Sequence, residues 1–168
     1  MSGTAHPTIA MRPLLPADIP LLAEIFRASI DELAADDYSD AQREAWASTA
    51  DDEAAFGERL AKQLTLVGTL EGSPVGFASL KAPDIIDMLY VHPVAGANGV
   101  ATMLVNALEK LAAGRGAGRL TADVSDAAVD FFSKRGFVPQ MRNTRKLGEE
   151  WLANTTMEKK LAAKEKAQ

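Results

Sequence analysis

Residues 91–104 read VHPVAGANGVATML. A strand-like end and Pro93 lead into AGANG, and an apolar run at helical spacing follows. Val100, Met103, Leu104, Ala107, Leu108 and Leu111 fall on one stripe of that helix. Small residues therefore crowd the point where the helix begins. The first N–H groups of a helix have no partner within it, and the helix dipole puts partial positive charge there. An anion can dock on such a turn if side chains stay clear of the backbone, a condition that Gly96, Ala97, Gly99 and Ala101 meet. A tight strand-to-helix turn with no ligand would have the same composition. The spacing is neither G-x-G-x-x-G nor G-x-x-x-x-G-K-[ST], which leaves a Rossmann or P-loop nucleotide site poorly supported. Gly114, Gly116 and Gly118 follow the helix and read as its stop.

Outward from this turn, the chain has 168 residues, 47% of them apolar and 24% charged, with a formal charge of -5. One domain spanning 1–168 is expected, with flexible ends at about 1–7 and 162–168, and that length can bury a full core. The acidic balance argues against a nucleic-acid surface, which needs a basic face. With no cysteine and only His6 and His92, disulfides, cysteine–zinc sites, a thiol nucleophile and a multi-histidine metal site are excluded. No metal is therefore expected. The N-terminal segment lacks the pattern of a signal peptide, and no apolar run reaches spanning length. A cytoplasmic protein without a membrane partner fits these features.

The remaining elements follow from periodicity. Thr8 to Leu14 predicts a first strand, and Asp18 stands where a helix cap belongs. Leu21, Leu22, Ile25, Phe26, Ile30 and Leu33 mark the first helix. Ser39 and Gln42 have the spacing of a capping box for a second, and a third covers roughly residues 51–62. LTLVGTL and VGFASLK around EGSP predict a hairpin, and PDIIDMLYVH a central strand apolar on both faces. RLTADVS predicts a strand, DAAVDFFSKR a short helix stopped by Gly136, and GFVPQMR a strand. NTRKLGEEW is expected to be a turn region before a last strand, LANTTMEKKL. The order predicts a mixed α/β (α+β) domain around one central sheet.

Two blocks then carry a resemblance. LYVHPVAGANGVATMLV is similar to the acetyl-CoA-binding motif of the GNAT superfamily of N-acetyltransferases: a strand, V-x-P, then Q/R-x-x-G-x-G/A opening a helix. VSDAAVDFFSKRGF resembles that family's next block, at the right separation, and the element order agrees over about residues 8–161. The resemblance implies a mixed sheet with splayed fourth and fifth strands and helices on both faces. It also implies acetyl-CoA as cosubstrate. The pyrophosphate would rest on the backbone of Gly96, Ala97, Asn98, Gly99, Val100, Ala101 and Thr102. The pantetheine arm would pair with Leu89, Tyr90 and Val91, and a backbone N–H in the splay would polarise the thioester carbonyl. The exposed final strands of such folds often pair two subunits, which makes a homodimer an option. Two positions depart from the family pattern. Gly96 replaces the Q/R side chain, and Phe132 stands at a cofactor-side position where many relatives carry a tyrosine acid. These departures keep open a non-catalytic module that senses acyl-CoA.

Direct transfer to a primary amine of a small molecule or peptide needs that amine neutral, and a base aids this. Asp87 is the first candidate, being the one carboxylate inside IIDMLYV; a carboxylate hydrogen-bonded at a bulge is the bland alternative. Asp123 is the second. It shares a strand face with Ser125, which would serve the cofactor or cap the next helix. Tyr90 reads as core with an option to donate a proton to the thiolate, and His92 as a surface residue. By the same resemblance the acceptor would enter over the first helices, where Tyr38 and Trp46 are candidates to line its pocket; core packing is the alternative, and the stronger one for Trp46. Asp36, Asp37 and Asp40 would attract a cation, or form a solvated turn.

Overall fold

The computed structural model describes residues 8–162; the ends expected to be flexible lie, apart from residue 162, outside the described residues. Seven strands form one sheet in the order β1-β2-β3-β4-β5-β7-β6. In chain order they are β1 (Ile9–Pro13), β2 (Leu64–Leu70), β3 (Ser73–Lys81), β4 (Ile85–Val91), β5 (Arg119–Ser125), β6 (Val138–Leu147) and β7 (Glu150–Lys160). The helices are α1 (Ile19–Leu33), α2 (Asp40–Ala47), α3 (Glu53–Ala61), α4 (Val100–Gly114) and α5 (Val129–Ser133). The sheet is mixed: β4 and β5 run parallel, and every other neighbouring pair is antiparallel.

Each face of the sheet has its own core. Leu104, Leu108 and Val105 of α4 and Phe132 of α5 bury one face with Leu120, Val124 and Met157. On the other, Leu22, Ile25 and Phe26 of α1 and Phe56 and Leu60 of α3 pack on Val67, Phe77 and Met88. Alternation along β2 to β5 sends side chains to opposite faces, so both layers draw on the same strands. The first turn of α4 sits close on the sheet because Gly68 and Gly76 face each other across β2 and β3 beneath it. A Cβ on Gly68 would lie 2.7 Å from Val100 Cγ1, nearer than packed carbons approach.

Several local expectations hold. Ser39 accepts from the Gln42 N–H while Gln42 Oε1 accepts from the Ser39 N–H, the reciprocal capping box that starts α2. The β2–β3 turn is Glu71–Gly72, with φ of 51° and 83° at its two positions, the mirror-image turn that suits hairpin twist. Two expectations change. Asp18 does occupy the N-cap position of α1, but its side chain bonds no N–H of that helix. It is buried, takes a two-pronged ion pair from Arg12 (2.7 and 2.8 Å) and accepts the Leu15 N–H, and Arg12 holds its carboxyl below the usual range against the cost of burial. The segment NTRKLGEEW is strand, not turn, up to Leu147. The chain reverses at Gly148 (φ 58°) and Glu149. β6 is an edge strand whose residues are nearly all exposed, so it lacks the alternation by which strands are read.

Candidate active site

β4 and β5 pair only at Ile85↔Thr121 and Ile86↔Ala122. Beyond Ile86 they part, while β4 stays paired to β3 through Ala78↔Leu89, Phe77↔Tyr90 and Gly76↔Val91. The side of Leu89, Tyr90 and Val91 that turns toward β5 therefore has no strand partner, as the splay requires. The divergence begins at a β-bulge: Ser79 pairs with Met88 and Leu80 with Ile86, leaving Asp87 as the extra residue. The bulge turns this carboxylate out of the apolar alternation toward α3. There Arg59 bonds both carboxylate oxygens (2.8 and 3.0 Å) and Gln63 donates to one (2.8 Å). Burial pushes the Asp87 carboxyl up, but these donors outweigh it and hold it below the ordinary range.

Three adjoining cavities meet at the splay, and Trp46, Tyr90 and Ser125 border all three. The largest, about 830 Å³ with its open mouth, lies between α1–α3 and the β6–β7 hairpin and includes Asp87 and Asp123. The second lies between the C-terminal end of α1 and the starts of α4 and α5, walled by Ile30, Leu33, Leu89, Val91, Ala101 and Phe131. The third is the gap between the strands themselves. Ser125 precedes a 3-10 turn but makes no side-chain cap there, which leaves its hydroxyl free at the junction. Asp123 accepts from Thr156 Oγ1 at 2.6 Å.

Tyr38 and Trp46 both reach the largest cavity, packed edge-to-face with ring centres 5.5 Å apart. Tyr38 is also a clasp. Its hydroxyl donates to the Ala153 carbonyl (2.6 Å) and accepts the Asp126 N–H (2.9 Å), tying the α1–α2 segment to β7 and the end of β5. Tyr90 stacks among Phe26, Phe77 and Trp46, and burial pushes its hydroxyl up to about 12. Asp36 and Asp37 are exposed and Asp40 is bonded to Arg43, away from the cavity walls. His92 Nδ1 accepts the Val94 N–H and so shapes the turn.

In the glycine turn, the Gly96 N–H is spent on Pro93 and the Asn98 N–H on Ala95, and intrahelical bonding starts at Met103. The N–H groups of Ala97, Gly99, Val100, Ala101 and Thr102 have no backbone partner. Gly96 (φ 39°) and Gly99 (φ 85°) hold the left-handed conformations that open this cradle. Where Gly96 supplies no side chain, Arg135 arrives from beyond α5. Its guanidinium lies over the Phe131 ring at 3.6 Å, bonds the Phe131 carbonyl and the Thr102 hydroxyl, and keeps a buried Nε without a partner. Phe132, by contrast, is 4% exposed, packs on Phe137 and borders only the gap between the strands. Consecutive residues of α5 point about 100° apart, so Phe131 takes the wall and Phe132 the core. Arg59, Gln63 and Arg145 reach the site from segments whose sequence carries no motif, whereas Arg135 stands inside the VSDAAVDFFSKRGF block without being marked by it.

The strand splay and the unpartnered N–H groups of the turn agree with the resemblance, and residues 34–161 match the acetyltransferase (GNAT) domain family. The chain belongs to the GNAT acetyltransferases. It is 34% identical over 149 residues to an uncharacterized N-acetyltransferase, YafP, of Escherichia coli K12, covering 89% of this chain and 94% of the relative. Its fold superposes on a GCN5-related N-acetyltransferase of Rhodopseudomonas palustris with a TM-score of 0.91 and 59% identity, covering 95% of this chain and 100% of that one. The PaiA N-acetyltransferase of Thermoplasma acidophilum, solved with coenzyme A, shares the fold at 21% identity and a TM-score of 0.76, covering 91% of this chain and 99% of that one. This acetyltransferase is thus an enzyme of the acetyl-CoA-dependent class. No helix among its described residues is long and apolar enough to cross a membrane.

Proposed function

We propose that the protein transfers acetyl from acetyl-CoA directly to a primary amine, with cofactor and acceptor entering the splay from opposite faces of the sheet. The meeting of three cavities at Trp46, Tyr90 and Ser125 carries this reading. The residues present fit the cofactor. The free N–H groups of Ala97 and Gly99 to Thr102, with Arg135 beside them, suit the pyrophosphate. The unpaired side of Leu89 to Val91 suits the pantetheine amides, and bound acetyl-CoA supplies the activated acyl group.

The side chains around the splay divide the remaining work. Both Asp87 oxygens are already taken by donors from Arg59 and Gln63, which leaves it poorly placed to accept a proton. Its part is to hold Arg59 and set the cavity's charge, whereas Asp123 has one hydrogen-bond donor and an open side, and can receive the amine proton through water. Tyr90 is protonated at any working pH. Full proton transfer from so weakly acidic a hydroxyl to a thiolate whose thiol titrates near about 8.5 is uphill, so Tyr90 and Ser125 stabilise the leaving sulfur as hydrogen-bond donors, and water protonates it.

Calorimetry with acetyl-CoA and thiol release across an amine panel test the proposal; no binding at millimolar cofactor would overturn it. In the acetyltransferase assay, Asp123→Asn is expected to cut kcat about 100-fold with CoA affinity unchanged. Asp87→Asn should lower the rate at every pH without reshaping the pH–rate profile, because its folded-state titration lies below the neutral range. A profile whose limb moves in Asp87→Asn would return the base to Asp87.

A further inference from the structure

The wall of the acceptor cavity formed by the β6–β7 hairpin bears on which amine enters. Two guanidiniums reach this cavity, from Arg59 and Arg145. Arg59 is committed to Asp87 by two hydrogen bonds. The neighbouring arginines are also committed: Arg142 bonds Asp126 and Thr155, and Arg43 bonds Asp31, Asp40 and the Tyr38 carbonyl. Among the described residues the Arg145 side chain makes no hydrogen bond or ion pair, although it lines the cavity. Its register fixes this. Arg145 pairs with Leu152, and Asn143, two residues earlier, pairs with Asn154. Asn143 donates to Asn154 and Thr156, which holds that face of β6 in place. By strand alternation Asn143, Arg145 and Leu147 share one face.

The cavity's carboxylates complete the pattern. Asp87 is neutralised by Arg59, which leaves Asp123 as the cavity carboxylate without a cation partner. The acidic run at residues 36–40 lies outside the walls. The free charges of the cavity are therefore one negative, on β5 at the splay, and one positive, farther out on β6. A polyamine would bring a second cation against Arg145. A molecule with an amine at one end and an oxyanion at the other meets both.

We propose that the acceptor is a small primary amine that also carries an oxyanion, carboxylate or phosphate, and that Arg145 recognises that group. The inference rests on the amine-acetylation reading above. A guanidinium fork matches either oxyanion with two parallel hydrogen bonds.

The test uses matched amines with acetyl-CoA: an amino acid against its amide, an aminoalkyl phosphate against the aminoalcohol, and spermidine. Thiol release gives kcat and KM for each, and the first two pairs separate carboxylate from phosphate. The oxyanion-bearing member of at least one pair should have kcat/KM about tenfold or more above its neutral partner. Arg145→Ala should remove that preference, chiefly through KM, and Arg145→Lys should restore part of it. Arg145→Glu should reverse the order in favour of spermidine, with the affinity for CoA, measured by calorimetry, unmoved in all three. A native preference for the neutral amines or spermidine overturns the inference, as does a preference that survives in Arg145→Ala. If no amine releases thiol, the acetylation reading fails on this panel. Recognition is then read by calorimetry on the CoA-loaded protein, where the oxyanion-bearing amines should bind native protein and not Arg145→Glu. Equal binding, or none, overturns the inference there as well.

Discussion

Gly99→Asp is expected to weaken CoA binding about 100-fold relative to Gly99→Asn. Gly99 has φ of 85°, where asparagine and aspartate are the best tolerated of the side-chain-bearing residues. Space is not the obstacle, since a Cβ there would meet only Ile9 Cδ1, at 3.8 Å. The two variants share shape and backbone cost and differ by one charge. A carboxylate about 5 Å from a phosphate at an effective dielectric near 20 costs about 3 kcal/mol per unit charge, which sets the size of the effect. Salt should shrink the gap. Folding stability should move the other way, because a negative charge at a helix N-terminus is favourable. Calorimetric titration of both variants with CoA at low and high salt, alongside thermal melts, reads all three outcomes. Equal affinities would mean that the phosphates do not lie on this turn.

Phe77→Ala should produce the largest loss of stability, about 3–5 kcal/mol. Phe77 is 0% exposed at the centre of the α1–α3 face. It packs edge-on to Phe56 with centroids 6.1 Å apart and against Tyr90 at 5.7 Å. For a chain of this size that loss lowers Tm by roughly 10–15 °C. Phe77→Leu, which leaves a smaller cavity, should cost less than half as much. Because Tyr90 leans on this ring, Phe77→Ala should also lose acetyltransferase activity well below its Tm. Activity that holds up to the melting transition would show that Tyr90 keeps its place without that support.

The strand, turn and helix around residues 91–104 were legible because each signal there is local: apolar periodicity, a proline and clustered small residues. The splay was legible only through the resemblance, since pairing between β4 and β5 depends on residues about 35 positions apart. Asp87 stood out as a charge in an apolar strand, but its partners Arg59 and Gln63 come from around another helix, and no spacing links them. Arg145 was hidden in a segment that read as turn. Solvent on both sides of an edge strand removes the pattern that would have marked it. For the same reason the segment's inward-facing residues could not be told from its outward-facing ones. At α5 the sequence pointed to Phe132, and a rotation of one residue hands the cavity wall to Phe131. Such a step lies below what a motif can resolve.

Gly68 and Gly76 also set the height of α4 above the sheet, and with it the elevation of the turn at its start. Two chains identical from residue 91 to 104 would hold a phosphate differently if one carried a methyl group at position 68, because Val100 would have to rise to clear it. Part of the information that would place a phosphate is therefore written upstream of the motif, at positions 68 and 76, as the absence of two side chains.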